Sequence, residues 1–167
     1  MKNEINLEKL CTYQIWADIQ IRDILKGLTE EEFTCEIGPP FKSIRNLCVH
    51  IVIAMEYNIK SFIEKIDVNA EKLYENLGKL SRDELLTKWE ETEKKLLETV
   101  QKAREPILFP NFLTGEEVVM DSADFFMQYI LHTVYHRGQL VSMLKILGKE
   151  GVTTDYLFYL FYLEGGN

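Results

Sequence analysis

The sequence predicts an all-α protein: a four-helix bundle with a short C-terminal helical segment. Two observations predict it. Four long stretches carry apolar residues at three- and four-residue steps, the period of a helix with one buried face. Little between them alternates as a strand does, so the long helices must bury their faces on one another.

The first stretch, about residues 6–27, has Leu10, Tyr13, Ala17, Ile21, Ile24 and Leu28 on one seam. Ile15, Trp16 and Ile19 widen its apolar surface, which predicts cover on more than one side. Thr29-Glu30-Glu31-Glu32 reads as a capping box that opens a short helical turn, and Gly38-Pro39-Pro40 closes off any helix. Ser43 is the expected N-cap of a second helix over about 43–65, with Leu47, His50, Ile51, Ala54, Asn58 and Phe62 inward. A polar connection follows, in which Leu73, Tyr74 and Leu77 form a turn that packs down.

Ser81-Arg82-Asp83-Glu84 is a second capping box and opens a third helix, about 81–104. Leu85, Trp89, Thr92, Leu96, Val100 and Ala103 form its seam. The run including Glu90, Glu91, Glu93, Lys94 and Lys95 reads as its solvated face. Pro106 ends that helix. Ile107–Pro110 and Glu117–Met120 read as two short extended pieces around Thr114-Gly115, with Pro110 weakening the strand pattern. The fourth helix starts near Asp121 or Ser122 and stops at Gly148, with Phe125, Tyr129, His132, His136, Leu140, Met143 and Leu147 on one seam. Thr154-Asp155 caps an apolar tail from Tyr156 to Tyr162. Tyr156, Phe158, Tyr159 and Phe161 are too many to expose singly, which predicts a homodimer; the alternative is that they cap their own bundle. No repeat or linker divides the 167 residues, so one domain, 1–167, is expected.

The net charge is −8, and no Lys/Arg cluster offsets it, which argues against nucleic acid as a partner. The apolar runs are short and interrupted by charge, so no membrane span is expected. Cys11, Cys35 and Cys48 are odd in number and lack Cys-x-x-Cys spacing. That fits reduced thiols and, with no apolar leader at the start, a cytoplasmic protein.

All three histidines of the chain, His50, His132 and His136, fall on inward seams of two helices. His132 and His136 are one helical turn apart on one face. A single histidine on an apolar seam is usually a hydrogen-bonded core residue. Three together leave several ring nitrogens in need of partners, and one shared cation satisfies three of them. Three imidazoles also leave one position of a tetrahedron open, as in a catalytic metal site. They suit zinc, nickel, iron or copper. Asp18, Asn58 and Gln139 are the candidate catalytic or ligand-orienting residues near them. Arg137 is expected to pair with an acidic residue, Tyr135 to pack, and Cys48 to be a small buried hydrophobe.

Several motifs resemble one known family. They are Tyr13-x-x-Trp16-Ala17-Asp18; Phe41-x-Ser43-Ile44-Arg45 followed by His50; His132-x3-His136-Arg137-Gly138-Gln139; and Thr154-Asp155-Tyr156-Leu157-Phe158-Tyr159-Leu160. The chain is similar in these to the DinB/YfiT-like family of damage-inducible bacterial proteins. That family more often has Asn at the place of Asp18 and often a further histidine at the place of Tyr135. The resemblance implies an up-down-down-up bundle and a divalent metal, nickel or zinc foremost, on His50, His132 and His136. It also implies relatives that use low-molecular-weight thiols such as bacillithiol, and homodimers. The leading expectation is therefore a metal-dependent thiol transferase acting on a small-molecule substrate. The alternatives are a metal-dependent hydrolase and a non-catalytic, stress-induced metal-binding protein.

Overall fold

The computed structural model describes residues 6–102, 105–111 and 113–165. The helices are α1 (Leu7–Lys26), α2 (Glu30–Thr34), α3 (Ile44–Asn58), α4 (Ala70–Lys79), α5 (Arg82–Lys102), α6 (Ser122–Ile146) and α7 (Tyr156–Leu163); β1 (Ile107–Pro110) and β2 (Glu117–Met120) form an antiparallel hairpin. Ala103 and Arg104, the expected end of the third long helix, lie outside the described residues.

The helix starts follow their capping chemistry. Thr29 and Glu32 form the reciprocal capping box of α2, and Ser43 accepts from the Asn46 amide at the head of α3. Ser81 and Glu84 do the same for α5, and Asp121 accepts from the Ala123 amide to open α6. Asp155 holds the N-cap position of α7, but its side chain makes no capping bond.

Pairings between helices reveal their directions. Gln14 meets Thr133 and Asp18 meets Arg137, so α1 and α6 run parallel. Arg45 bonds the Leu80 carbonyl and Glu56 pairs with Lys88, so α3 and α5 run parallel. Arg22 pairs with Glu93 and Gln101 with Glu8, so α1 and α5 are antiparallel. The chain therefore runs up in α1, down in α3 and α5, and up in α6. Two parallel helices joined in sequence need a crossover, and α4 is that crossover.

The structure corrects three expectations. The segment read as a connection with a turn is the helix α4. Asn69 caps it, and Leu73 and Leu77, four apart, are the residues it turns toward the core. Only α3 as far as Asn58 is α-helical; Ile59–Ile63 is a π-helical turn that sets Phe62 against Phe109 and Phe125. Glu93 is not on a solvated face: it is 1% exposed and accepts a hydrogen bond from Arg22.

The inward face of α1 is more polar than its seam suggests. Gln14, Asp18 and Arg22, at four-residue steps, are all buried. Asp18 binds Arg137 at 2.6 Å, and Arg137 also reaches the Tyr13 hydroxyl. Arg22 binds Glu93 and lies over the Trp89 ring. Asp18 Oδ2 and Glu93 Oε1 are sealed from water with no donor, and a proton on Glu93 supplies one. Burial, then the neighbouring Asp18 carboxylate, hold the Glu93 carboxyl well above the usual carboxylate range.

The outer side of α1 is covered by α7. Tyr159 is buried against Tyr13 and Trp16, while Leu157, Phe158, Phe161 and Tyr162 stay about half exposed. The tail thus caps its own bundle with one face and leaves the other bare.

Because the folded chain holds a proton on Glu93 that the unfolded chain loses above about pH 4, this group's contribution is complete below that pH. It declines as pH rises toward the raised folded value. Glu93→Gln keeps the partner of Arg22 and cannot lose a proton. Urea unfolding between pH 4.5 and 8 should show the variant gaining on the wild type as pH rises; parallel profiles would refute the shared proton.

Candidate metal centre

His50 comes from α3, and His132 and His136 from the antiparallel α6. Four-residue spacing stacks the α6 pair on the side turned to α3. The ring centroids of His50 and His136 are 4.6 Å apart, those of His132 and His136 4.3 Å, and those of His50 and His132 5.3 Å. One ligand nitrogen from each ring lies within 4.8 Å of the others. Phe41, in the loop before α3, packs on both His50 and His136.

The ring nitrogens reveal what is missing from a purely structural account. His136 Nδ1 lies 2.7 Å from Gln139 Oε1. An amide oxygen accepts, so Nδ1 carries the proton, and in the neutral ring Nε2 is a bare lone pair. That nitrogen points at His50 Nε2, 3.1 Å away. His132 Nε2 is sealed from water with no partner. Donor atoms of a tetrahedral zinc site lie roughly 3.3 Å from one another. The composition, the spacing and the orphaned nitrogen all fit a divalent cation. Burial, then the neighbouring rings, push the His132 imidazole down to about 4, and burial and His136 lower His50 as well. Both are therefore neutral at pH 7, the form that ligates metal.

A cavity of about 590 Å³ opens beside the cluster, between α3, α6 and the hairpin. His50, Ala54 and Asn58 line it along α3, and Asp124, Gln128 and His132 along α6. Phe109 and Met120 of the hairpin close one side. The cluster is thus turned toward a space of ligand size.

The candidate residues separate. Gln139 orients His136 directly, and its amide nitrogen donates to the Tyr135 hydroxyl. Tyr135 is therefore not a packing residue: it is 64% exposed and ends that short chain. Asn58 lines the cavity and donates to the Ala54 carbonyl at 2.5 Å. Asp18 is fully buried with Arg137 and is not among the residues lining the cavity. Arg137 pairs with an acidic residue, as its place beside His136 predicts. Cys48 is buried, and desolvation raises its thiol pKa, so it is inert.

Sequence reasoning missed Tyr57, Gln128, Asp124 and Tyr129, all of which line the cavity. Their signal was available in part. Asp124, Gln128 and His132 are four apart, and Asn58 was already placed on the side of His50. Tyr129 read as core, and burial does push its phenol above the ordinary range.

The profile of the DinB family matches residues 1–164. The chain belongs to the DinB family. It is 29% identical over 161 residues to the protein DinB of Bacillus subtilis (strain 168), covering 92% of each chain. Its fold is similar to that of a DinB-family crystal structure from Exiguobacterium sibiricum, with a TM-score of 0.66, 13% identity, and 90% and 98% of the two chains covered. A DinB-like protein from Bacillus cereus ATCC 10987 is also similar, at a TM-score of 0.57 and 19% identity, with 85% and 91% covered. No helix among the described residues is long and apolar enough to cross a membrane.

His132→Ala should abolish stoichiometric binding of a divalent cation, read by elemental analysis after gel filtration. Gln139→Leu should keep the fold but weaken metal affinity about 10–100-fold, read by competition with a chromogenic chelator. Unchanged metal content in His132→Ala would remove the metal centre from this protein.

Proposed function

We propose that this DinB-family protein is a divalent-metal-dependent enzyme that transfers a low-molecular-weight thiol, of the bacillithiol kind, to an electrophilic small molecule. One observation carries the reading: two of three clustered imidazoles line a ligand-sized cavity. His50, His132 and His136 hold the cation, with nickel or zinc the native metal and iron the next candidate. Such a cation supplies Lewis acidity that turns a thiol into a thiolate near neutral pH. Gln139 holds the His136 tautomer, Phe41 covers the ligand rings, and Phe109 and Met120 keep bulk water from one side of the cavity.

Metal-assisted hydrolysis is less well supported. It needs a base within hydrogen-bond reach of a water at the histidines. Among the described residues, the one carboxylate lining the cavity, Asp124, is two turns from His132, about 12 Å along α6. A purely metal-sequestering role is supported less again, because the cavity leaves the ligands approachable.

Protein with its metal verified should speed the conjugation of bacillithiol to a generic electrophile such as 1-chloro-2,4-dinitrobenzene, and His132→Ala should lose that rate. Turnover of 4-nitrophenyl acetate without thiol, and none of the conjugation, would favour the hydrolase instead.

The half-exposed face of α7 supports a homodimer in this proposal, since Leu157, Phe158 and Phe161 all stay about half exposed on it. Light scattering should give twice the chain mass for the full-length protein and a lower mass for a chain ending near Gly151. A monomeric full-length protein would refute the dimer.

A further inference from the structure

The long helices stand in a square in which the α1–α5 edge lies opposite the α3–α6 edge that carries the histidines. A cleft of about 310 Å³ opens on that far edge. Arg22 and Lys26, one turn apart on α1, line it together with Arg82, the first residue of α5. Arg82 bonds the Leu28 carbonyl, which holds its guanidinium at the carboxyl end of α1. Three cationic side chains thus meet at one cleft in a chain of net charge −8.

Two of them have loose partners. Lys26 meets Asp23 at 3.0 Å and Arg82 meets Asp83 at 2.8 Å, with the two carboxylates 63% and 74% exposed. Such surface pairs hold little. Arg22 differs, because it is 3% exposed and still lines the cleft. A guanidinium carries a fork of N–H donors, and among the described residues Arg22 gives one, from Nη1, to Glu93. Glu93 carries a proton, so that bond brings no negative charge. Asp18 neutralises Arg137. The carboxylates on the cleft lining are held by others: Asp83 by Arg82, and Glu90 by Lys94 at 2.6 Å. The charge of Arg22 is therefore left without a carboxylate of its own. The Trp89 ring, 5.6 Å from the guanidinium carbon, offsets only part of it.

We propose that this cleft binds a small phosphate-type oxyanion, inorganic phosphate or the head of a phosphate monoester, with Arg22 and Lys26 donating to its oxygens and Arg82 adding charge beside it. A guanidinium and an ammonium suit the several acceptor oxygens of a tetrahedral dianion. Leu86 gives the cleft an apolar wall for the carbon part of an ester, and its volume is that of a small-ligand site. Asp83 and Glu90 on the lining repel an extended polyanion, which limits the occupant to a small molecule. The site is independent of the thiol-transfer reading. An anion there neutralises Arg22 from outside the core and ties α1 to α5.

Isothermal titration of the full-length protein, its metal verified, with inorganic phosphate and separately with phenyl phosphate tests this at constant ionic strength. One equivalent should bind, more weakly as sodium chloride is raised, and should raise the melting temperature. Lys26→Gln, at an exposed residue, should keep the fold and bind about tenfold more weakly, and Lys26→Arg should restore most of the affinity. Lys72→Gln, exposed on α4 and outside the cleft lining, removes the same charge and should match the wild type. His132→Ala should also bind as the wild type does, because the imidazoles stand on the opposite edge. Tighter binding of phenyl phosphate would identify a monoester as the ligand, and tighter binding of phosphate the free anion. No binding at millimolar concentration, or equal binding by Lys26→Gln and the wild type, would overturn the inference. Binding lost in His132→Ala and kept in Lys26→Gln would seat the anion on the metal and overturn it as well.

Discussion

A guanidinium buried in the middle of a helix bundle must have a carboxylate beside it. Arg137 is 1% exposed, and its partner Asp18 is wholly buried. Breaking such a pair from one side leaves a bare buried charge, which costs about 3–5 kcal/mol. The pair clamps α6 to α1 at one rotation and one register. His136 is the next residue back, about 100° round the helix, so the same rotation turns its imidazole toward α3. Thr133 repeats the arrangement one turn earlier, meeting Gln14 while His132 turns to His50. The helix that carries two of the clustered histidines is thus set by polar contacts on its adjoining face.

That division of labour explains how the bundle holds two polar centres without mixing them. On one side of α6, Asp18, Tyr13 and Arg22 of α1, Glu93 of α5 and Arg137 of α6 itself bind one another. On the adjoining side, His132 and His136 face His50 of α3, and burial favours the charge-free forms of His50 and His132. The parallel pairing of α3 with α5 is the condition for this layout. It brings α3, and not α5, alongside the ligand face of α6, and it requires the crossover that α4 makes.

The helices and their caps were legible because each depended on local chemistry: the four-residue apolar steps, Thr29 and Glu32, Ser43, Ser81 and Glu84, Asp121. The histidines were legible because they followed the same steps on two seams. The polar ladder of α1 was not. Gln14, Asp18 and Arg22 share a four-residue period with each other but look like a solvated stripe unless their partners on α5 and α6 are known. Glu93 was misread for the same reason, since a run rich in Glu and Lys carries no mark of the one member facing inward. α4 offered only Leu73 and Leu77 as inward residues, too few to separate a helix from a turn. The cavity was the least legible, because α3 forms one wall while the hairpin and α6, far along the chain from it, form the others.

The hairpin gives the cavity an unusual division of ownership. Its Phe109 and Met120 form part of the wall, yet Leu108 and Val119 point outward, 52% and 73% exposed, and its two strands pair only with each other. Residues there can be exchanged in size or polarity while the clamp between α1 and α6, the crossover and all three imidazoles stay as they are. A change at Phe109 or Met120 reshapes that wall from a part of the chain that carries none of the three imidazoles.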